Sequence, residues 1–180
     1  MRIKHTIVIM ALAAVATVFG PAPAALAADT PTTFGITAGG LGVAVPASAN
    51  LGSASPGASA TAQLGTVTVT DDRAALAAAW TATVSATAFT TGAATPAETI
   101  ANTAVSYWSG PATATNGTGT ATPGQANAGA AVVLSTGQTA FTWSAGNGNN
   151  SAAWNPTLVV AIPATAVAGT YSGTVTHSVA

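Results

Sequence analysis

The chain has 180 residues, of which only three are Lys or Arg and four Asp or Glu, with two His and no Cys. So few cations exclude a nucleic-acid partner, whose phosphates need several Lys or Arg to neutralise them, and the missing thiols exclude disulfides, thiolate metal sites and cysteine nucleophiles. The length suits one buried core, so a single domain over residues 28–180 is the economical reading.

Residues 1–27 read as a secretory signal peptide. Arg2 and Lys4 open it, residues 6–19 form an apolar run, Gly20 and Pro21 break that run, and Ala25-Leu26-Ala27 is a small-x-small cleavage pattern. The run is shorter than the ~20 residues that span a bilayer, so export with removal is expected, and no membrane span in the processed chain. Processing leaves Arg73 as the one cation against Asp29, Asp71, Asp72 and Glu98. That is too little charge to steer a partner from a distance.

Residues 29–33 form a flexible lead-in, followed by short strand candidates at 34–37 and 41–45 and a small, Pro-containing loop at 46–59. Residues 60–70 read as a strand, with Val67 and Val69 alternating with Thr66, Thr68 and Thr70. From Trp80 to residue 90 the alternation is cleaner: Trp80, Ala82, Val84, Ala86 and Ala88 on one side, Thr81, Thr83, Ser85 and Thr87 on the other. Period two is the mark of a half-buried strand. The insert between these strands, residues 72–80, reads as an irregular loop, with a helical turn or two capped by Asp71 or Asp72 as the alternative.

Residues 91–98 are a turn, 99–108 a strand with Val105 and Tyr107 on one face, and 109–128, rich in Gly, Thr, Asn and Pro, the stretch least suited to regular structure. Residues 130–134 and 139–144 have the spacing of a hairpin around residues 135–138. A Gly/Asn turn at 146–150 separates Trp143 from Trp154, residues 157–162 form the most apolar strand, and 171–179 close the domain with Tyr171, Val175, His177 and Val179 on one face. Many short strands with turn signals between them predict an all-β fold, an antiparallel β-sandwich that is immunoglobulin-like in outline.

The wording of residues 64–89 resembles the WxL domain, a cell-surface module of Gram-positive bacteria. The matching residues are Leu64, Gly65, Val67, Val69, Thr70, Asp71, Arg73, Trp80, Val84 and Phe89, and the closing stretch AGTYSGTVTHSVA resembles that family's last strand. Trp80-Thr81-Ala82 stands at the first W-x-L position and His177-Ser178-Val179 at the second. The resemblance implies a sandwich held non-covalently on peptidoglycan or another wall polymer, with Asp71, Arg73, Trp80, Tyr171 and His177 as motif residues of structural role. The heavy use of Ala, Gly, Thr and Pro with little Lys suits a GC-rich bacterial genome such as an actinobacterium's.

Aromatic side chains are the candidates for contact with a polymer. Trp80 and Tyr171 fall on inward faces. Tyr107 and Trp108 are adjacent and point to opposite faces, so one of them is expected at the surface, while Trp143 and Trp154 flank a turn near one end of the sandwich. Trp108, Trp143 and Trp154 are therefore the polymer-binding candidates, with core packing as the competing role of each. Asp71 and Asp72 are adjacent and point apart, unlike the facing carboxylates of a glycosidase, and no calcium loop motif surrounds them. Arg73 is expected to pair with a carboxylate or backbone carbonyls.

His177 is the one histidine left after processing and lies on an inward face. No triad, metal centre or cofactor site can be assembled from the usual parts. Three readings remain. The chain is a secreted cell-surface module on peptidoglycan or another wall polymer, not an enzyme; or a structural protein that assembles with itself or other secreted proteins through an exposed edge strand such as 99–108; or a free carbohydrate-binding module or hydrolase.

Overall fold

A computed structural model describes residues 29–180; the leader expected over residues 1–27 lies outside the described residues. The chain divides into two compact units at residues 35 and 36, and the described part of the first, residues 29–35, is exposed and without regular secondary structure. The second unit, residues 36–180, is built of antiparallel strands. Among the described residues no helix is long and apolar enough to cross a membrane.

Three ribbons each run through two sheets. The first is β2 (Ser59–Gln63) and β3 (Val67–Asp71), the second β7 (Val105–Trp108) and β8 (Ala112–Asn116), the third β12 (Asn150–Trp154) and β13 (Thr157–Ala161). With β1 (Leu41–Ala44) at one edge, the first sheet has the order β1-β3-β12-β8; with β10 (Val132–Val133), the second has the order β10-β7-β13-β2. The break falls at the same level in all three ribbons. Pro156 has no N–H to give to a ladder, and Gly65 and Gly110 take φ of 93° and 71°, closed to most other residues. The Leu64 N–H donates to the Pro156 carbonyl at 2.8 Å and carries pairing across the bend.

The opposing layer is a third sheet, ordered β14-β4-β11-β9, from β4 (Leu76–Ala86), β9 (Thr120–Pro123), β11 (Gln138–Asn147) and β14 (Val175–Val179). β5 (Phe89–Thr90) and β6 (Thr99–Ile100) form a small separate ribbon. The whole is an all-β sandwich, as the alternation predicts.

Strand alternation sets the core. Val67 and Val69 of β3, Trp80, Ala82 and Val84 of β4, Tyr107, Phe141, Trp143, Trp154 and Leu158 form one buried cluster. Trp80 and Trp143 sit opposite each other in the β4–β11 register and stack with centroids 6.1 Å apart, and Phe141 stacks on Trp154 at 4.7 Å. Val, Leu and Ile side chains, among them Val105, Leu134 and Ile100, fill the space around these rings, and Ala82, Ala140 and Ala152 let neighbouring strands pack close.

The structure corrects the sequence reading in five places. Residues 34–37 are not a strand. Residues 72–80 contain no helical turn, β4 instead beginning at Leu76. Residues 109–128 hold two strands, β8 and β9. The expected hairpin of 130–134 with 139–144 is absent: β10 pairs with β7, and β11 with β4 and β9. Residues 99–108 are not one strand but β6 and β7, separated by a 3-10 turn at Asn102–Ala104, and β7 is no edge, since it lies between β10 and β13.

Candidate functional site

Two of the three tryptophans offered to a polymer by the sequence are inside the protein. Trp143 is 2% and Trp154 0% exposed. A ring with no accessible face cannot stack on a sugar, so both leave the candidate set. Their parity explains it: in β11, Phe141 and Trp143 are both inward, and in β12, Ala152 and Trp154 are both inward. Trp143 also needs close backbone around it, since a Cβ on Gly146 would lie 2.6 Å from its Nε1.

Trp108 has the opposite parity. Its neighbour Tyr107 faces the core, so the Trp108 ring projects from the outer face of β7, half-buried and outside the core cluster. The register places Thr157 of β13 beside it, itself covered, and the exposed Gln63 of β2 beyond. The Gln63 Oε1 accepts a 3.0 Å hydrogen bond from the Asn155 Nδ2, and the Asn155 Oδ1 is buried without a protein partner. A second row runs alongside, with Val133, Ser106, Val159 and Thr61 in register. The result is a sheet face bearing one indole flanked by hydroxyl and amide groups and by no charged side chain, the chemistry that stacks on a sugar ring and bonds its hydroxyls.

The motif residues are internal fasteners. The Asp71 carboxylate is fully buried, takes two bonds from the Arg73 guanidinium (Nε to Oδ1 at 2.8 Å, Nη2 to Oδ2 at 2.9 Å), and accepts from the Asn150 Nδ2 at 3.3 Å. Arg73 Nη2 also donates to the Ala79 carbonyl at 2.8 Å, and Trp80 Nε1 donates to Asn150 Oδ1 at 2.8 Å. One network thus ties β3, β4 and β12. The Arg73 hydrogen bonds hold the Asp71 pKa down at about 2, against the opposing effect of desolvation. Arg73 pairs with both a carboxylate and a carbonyl, as expected; Asn150, the hub, has no signature in the sequence beyond lying in a Gly/Asn turn.

His177 joins a second network. Trp154 Nε1 donates to the Tyr107 hydroxyl at 3.2 Å, and that hydroxyl lies 3.1 Å from His177 Nε2. Tyr107 is fully buried, so its own proton is satisfied when it is donated to Nε2, which fixes His177 as the neutral Nδ1–H tautomer. Desolvation pushes the His177 pKa down to about 4 and the Tyr107 pKa up. Tyr171 half-buries its ring and sets its hydroxyl 3.0 Å from the Val167 carbonyl and 3.2 Å from that of Ala97.

Among the described residues no group of three His, Cys, Asp or Glu side chains converges. Asp71 and Asp72 face opposite ways, one buried and one exposed. Compared with protein-family models, with curated proteins and with solved structures, the chain matches none.

Proposed function

We propose that the protein is a secreted cell-surface module that associates non-covalently with peptidoglycan or another wall polymer and acts by binding, without catalysis. The observation that carries this reading is Trp108: of four tryptophans it alone stands outside the core cluster, on an outer sheet face with Gln63, Thr61 and Ser106 around it. The leader-like residues 1–27 and the resemblance of residues 64–89 to the WxL module support the same compartment and partner.

The test is co-sedimentation of the secreted, processed protein with insoluble sacculi. Trp108→Ala is expected to lower the bound fraction about tenfold, as loss of an aromatic anchor does, with the strand content unchanged by circular dichroism and the melting temperature lowered only by the packing of the half-buried ring. Wild type that remains in the supernatant, or a Trp108→Ala variant that sediments like wild type, rejects the reading.

A further inference from the structure

The first sheet carries a polar cleft of about 230 Å³ at the end marked by Thr70 of β3 and Asn116 of β8, lined by Thr70, Asp72, Asn116, Asn149, Asn150 and Ser151. Strand parity makes it. Val69 and Ala152 face the core, so Thr70 and Ser151 turn outward, and the register sets Thr70, Ser151 and Asn116 side by side across β3, β12 and β8. Asp72 comes two residues after Thr70 and Asn149 two before Ser151, so both fall on the same outer side, and both are exposed.

The cleft is held firmly at its base, while the groups at its rim are unspent. Asn150 is buried, and its amide is fastened by Asp71 and Trp80. Gly117, with a φ of 92°, closes a side wall: a Cβ there would lie 2.6 Å from the Asn149 carbonyl oxygen. The Ala74 N–H donates to Asn149 Oδ1 at 3.2 Å, which fixes that amide and leaves its Nδ2 as a donor. Among the described residues, no hydrogen bond engages the Asp72 carboxylate, the Asn116 amide or the Thr70 and Ser151 hydroxyls. Asp71 and Glu98 are tied internally, so within residues 36–180 Asp72 is the one side-chain carboxylate without a partner among the described residues.

We propose that this cleft binds one hexopyranose unit through adjacent hydroxyls. No apolar side chain lines it, so it offers nothing to a ligand that needs an apolar wall, and its carboxylate has no cation beside it, which disfavours phosphate and carboxylate groups. Calcium affinity rises with the number of charged ligands, and here there is one. A neutral polyol matches every group. One hydroxyl donates to Asp72 while it accepts from Asn149 Nδ2, and its neighbour does the same with Asn116, Ser151 or Thr70. The volume falls below the ~300 Å³ of ordinary small-molecule pockets, which limits the occupant to a single sugar ring. The cleft is on the first sheet and Trp108 on the second, so this inference does not rest on the Trp108 reading.

Heteronuclear NMR of the isotope-labelled, processed protein tests it, since the side-chain amides of Asn116 and Asn149 and the backbone N–H of Asp72 report from the cleft itself. Titration with D-glucose, D-galactose and D-mannose to about 100 mM is expected to shift these signals saturably with at least one hexose, at a dissociation constant on the order of 5 mM, the range open to so small a ligand. Asp72→Asn keeps the shape and removes the charged acceptor, and is expected to weaken that binding about tenfold; Asn116→Ala, at an exposed position, is expected to weaken it about threefold. Unmoved signals from the buried Val67 and Val69 show each variant to be folded. Calcium chloride is expected to give no saturable shift in the cleft below about 10 mM. The absence of a saturable shift with all of these hexoses, a hexose affinity that neither substitution lowers, or saturation of the cleft by calcium in that range would each overturn the proposal.

Discussion

Asp71 is buried with its charge intact because three N–H groups of Arg73 and one of Asn150 converge on it. Asp71→Ala strands the Arg73 fork and the Asn150 amide, and is expected to lower stability by about 3 kcal/mol in urea unfolding. His177 and Asp71 are both held in their deprotonated forms, so the unfolded chain binds more protons and stability decreases as the pH is lowered. The His177 contribution is complete above 6.5 and is lost as pH drops from there to about 4; that of Asp71 is complete above 3.8 and is lost toward about 2. His177→Gln, which keeps an acceptor for Tyr107 and cannot titrate, is expected to abolish the first loss, about 2 kcal/mol after allowing for partial solvent access. Urea midpoints between pH 7 and 4.5 read the difference. Of these two networks the sequence shows the end residues but not the hubs: Asn150 and Tyr107 act across about 70 positions of chain, and nothing local marks such a partnership.

The strands differ in how well they announce themselves, and the reason is contrast between faces. β4 from Trp80 onward and β14 alternate large or apolar residues with Thr and Ser and are legible as strands with the correct inward side, whereas Leu76 to Ala79 lacks that contrast and reads as loop. β8 and β9, Ala-Thr-Ala-Thr-Asn and Thr-Ala-Thr-Pro, do alternate, but small Ala against small Thr gives little contrast between the faces; their backbones are recruited by β12 and β11. Context outweighs propensity there. The failed hairpin at 130–144 is the converse, a good local spacing overruled by better distant partners. Trp143 adjoins a turn in sequence, and its place in the core follows from sharing the inward side of β11 with Phe141. The link between β8 and β9 supports that same ring: Gly119 takes a φ of 127°, and a Cβ there would strike the Trp143 indole. Gly119→Ala is expected to cost at least about 2 kcal/mol, from backbone strain and overpacking together, seen as a lower melting temperature.

Across the whole molecule, charge is nearly absent. Asp71 and Arg73 cancel each other at 2.8 Å, and the Glu98 carboxylate is tied to the Thr95 hydroxyl and backbone N–H. Contacts made by such a surface are stacking and neutral hydrogen bonds, which ions do not screen. Sacculus binding is therefore expected to stay constant between about 0.05 and 1 M NaCl, where an electrostatic association would weaken steeply. The distribution of tryptophans has an optical counterpart. Trp80, Trp143 and Trp154 are sealed from water and are expected to emit at the blue-shifted end of the tryptophan range, while Trp108, half-buried at the surface, is expected to supply the solvent-sensitive red edge of the spectrum. The protein thus carries its own lamp on one face. A ligand that shifts only that red edge has settled on β7, and one that leaves the spectrum untouched has landed elsewhere.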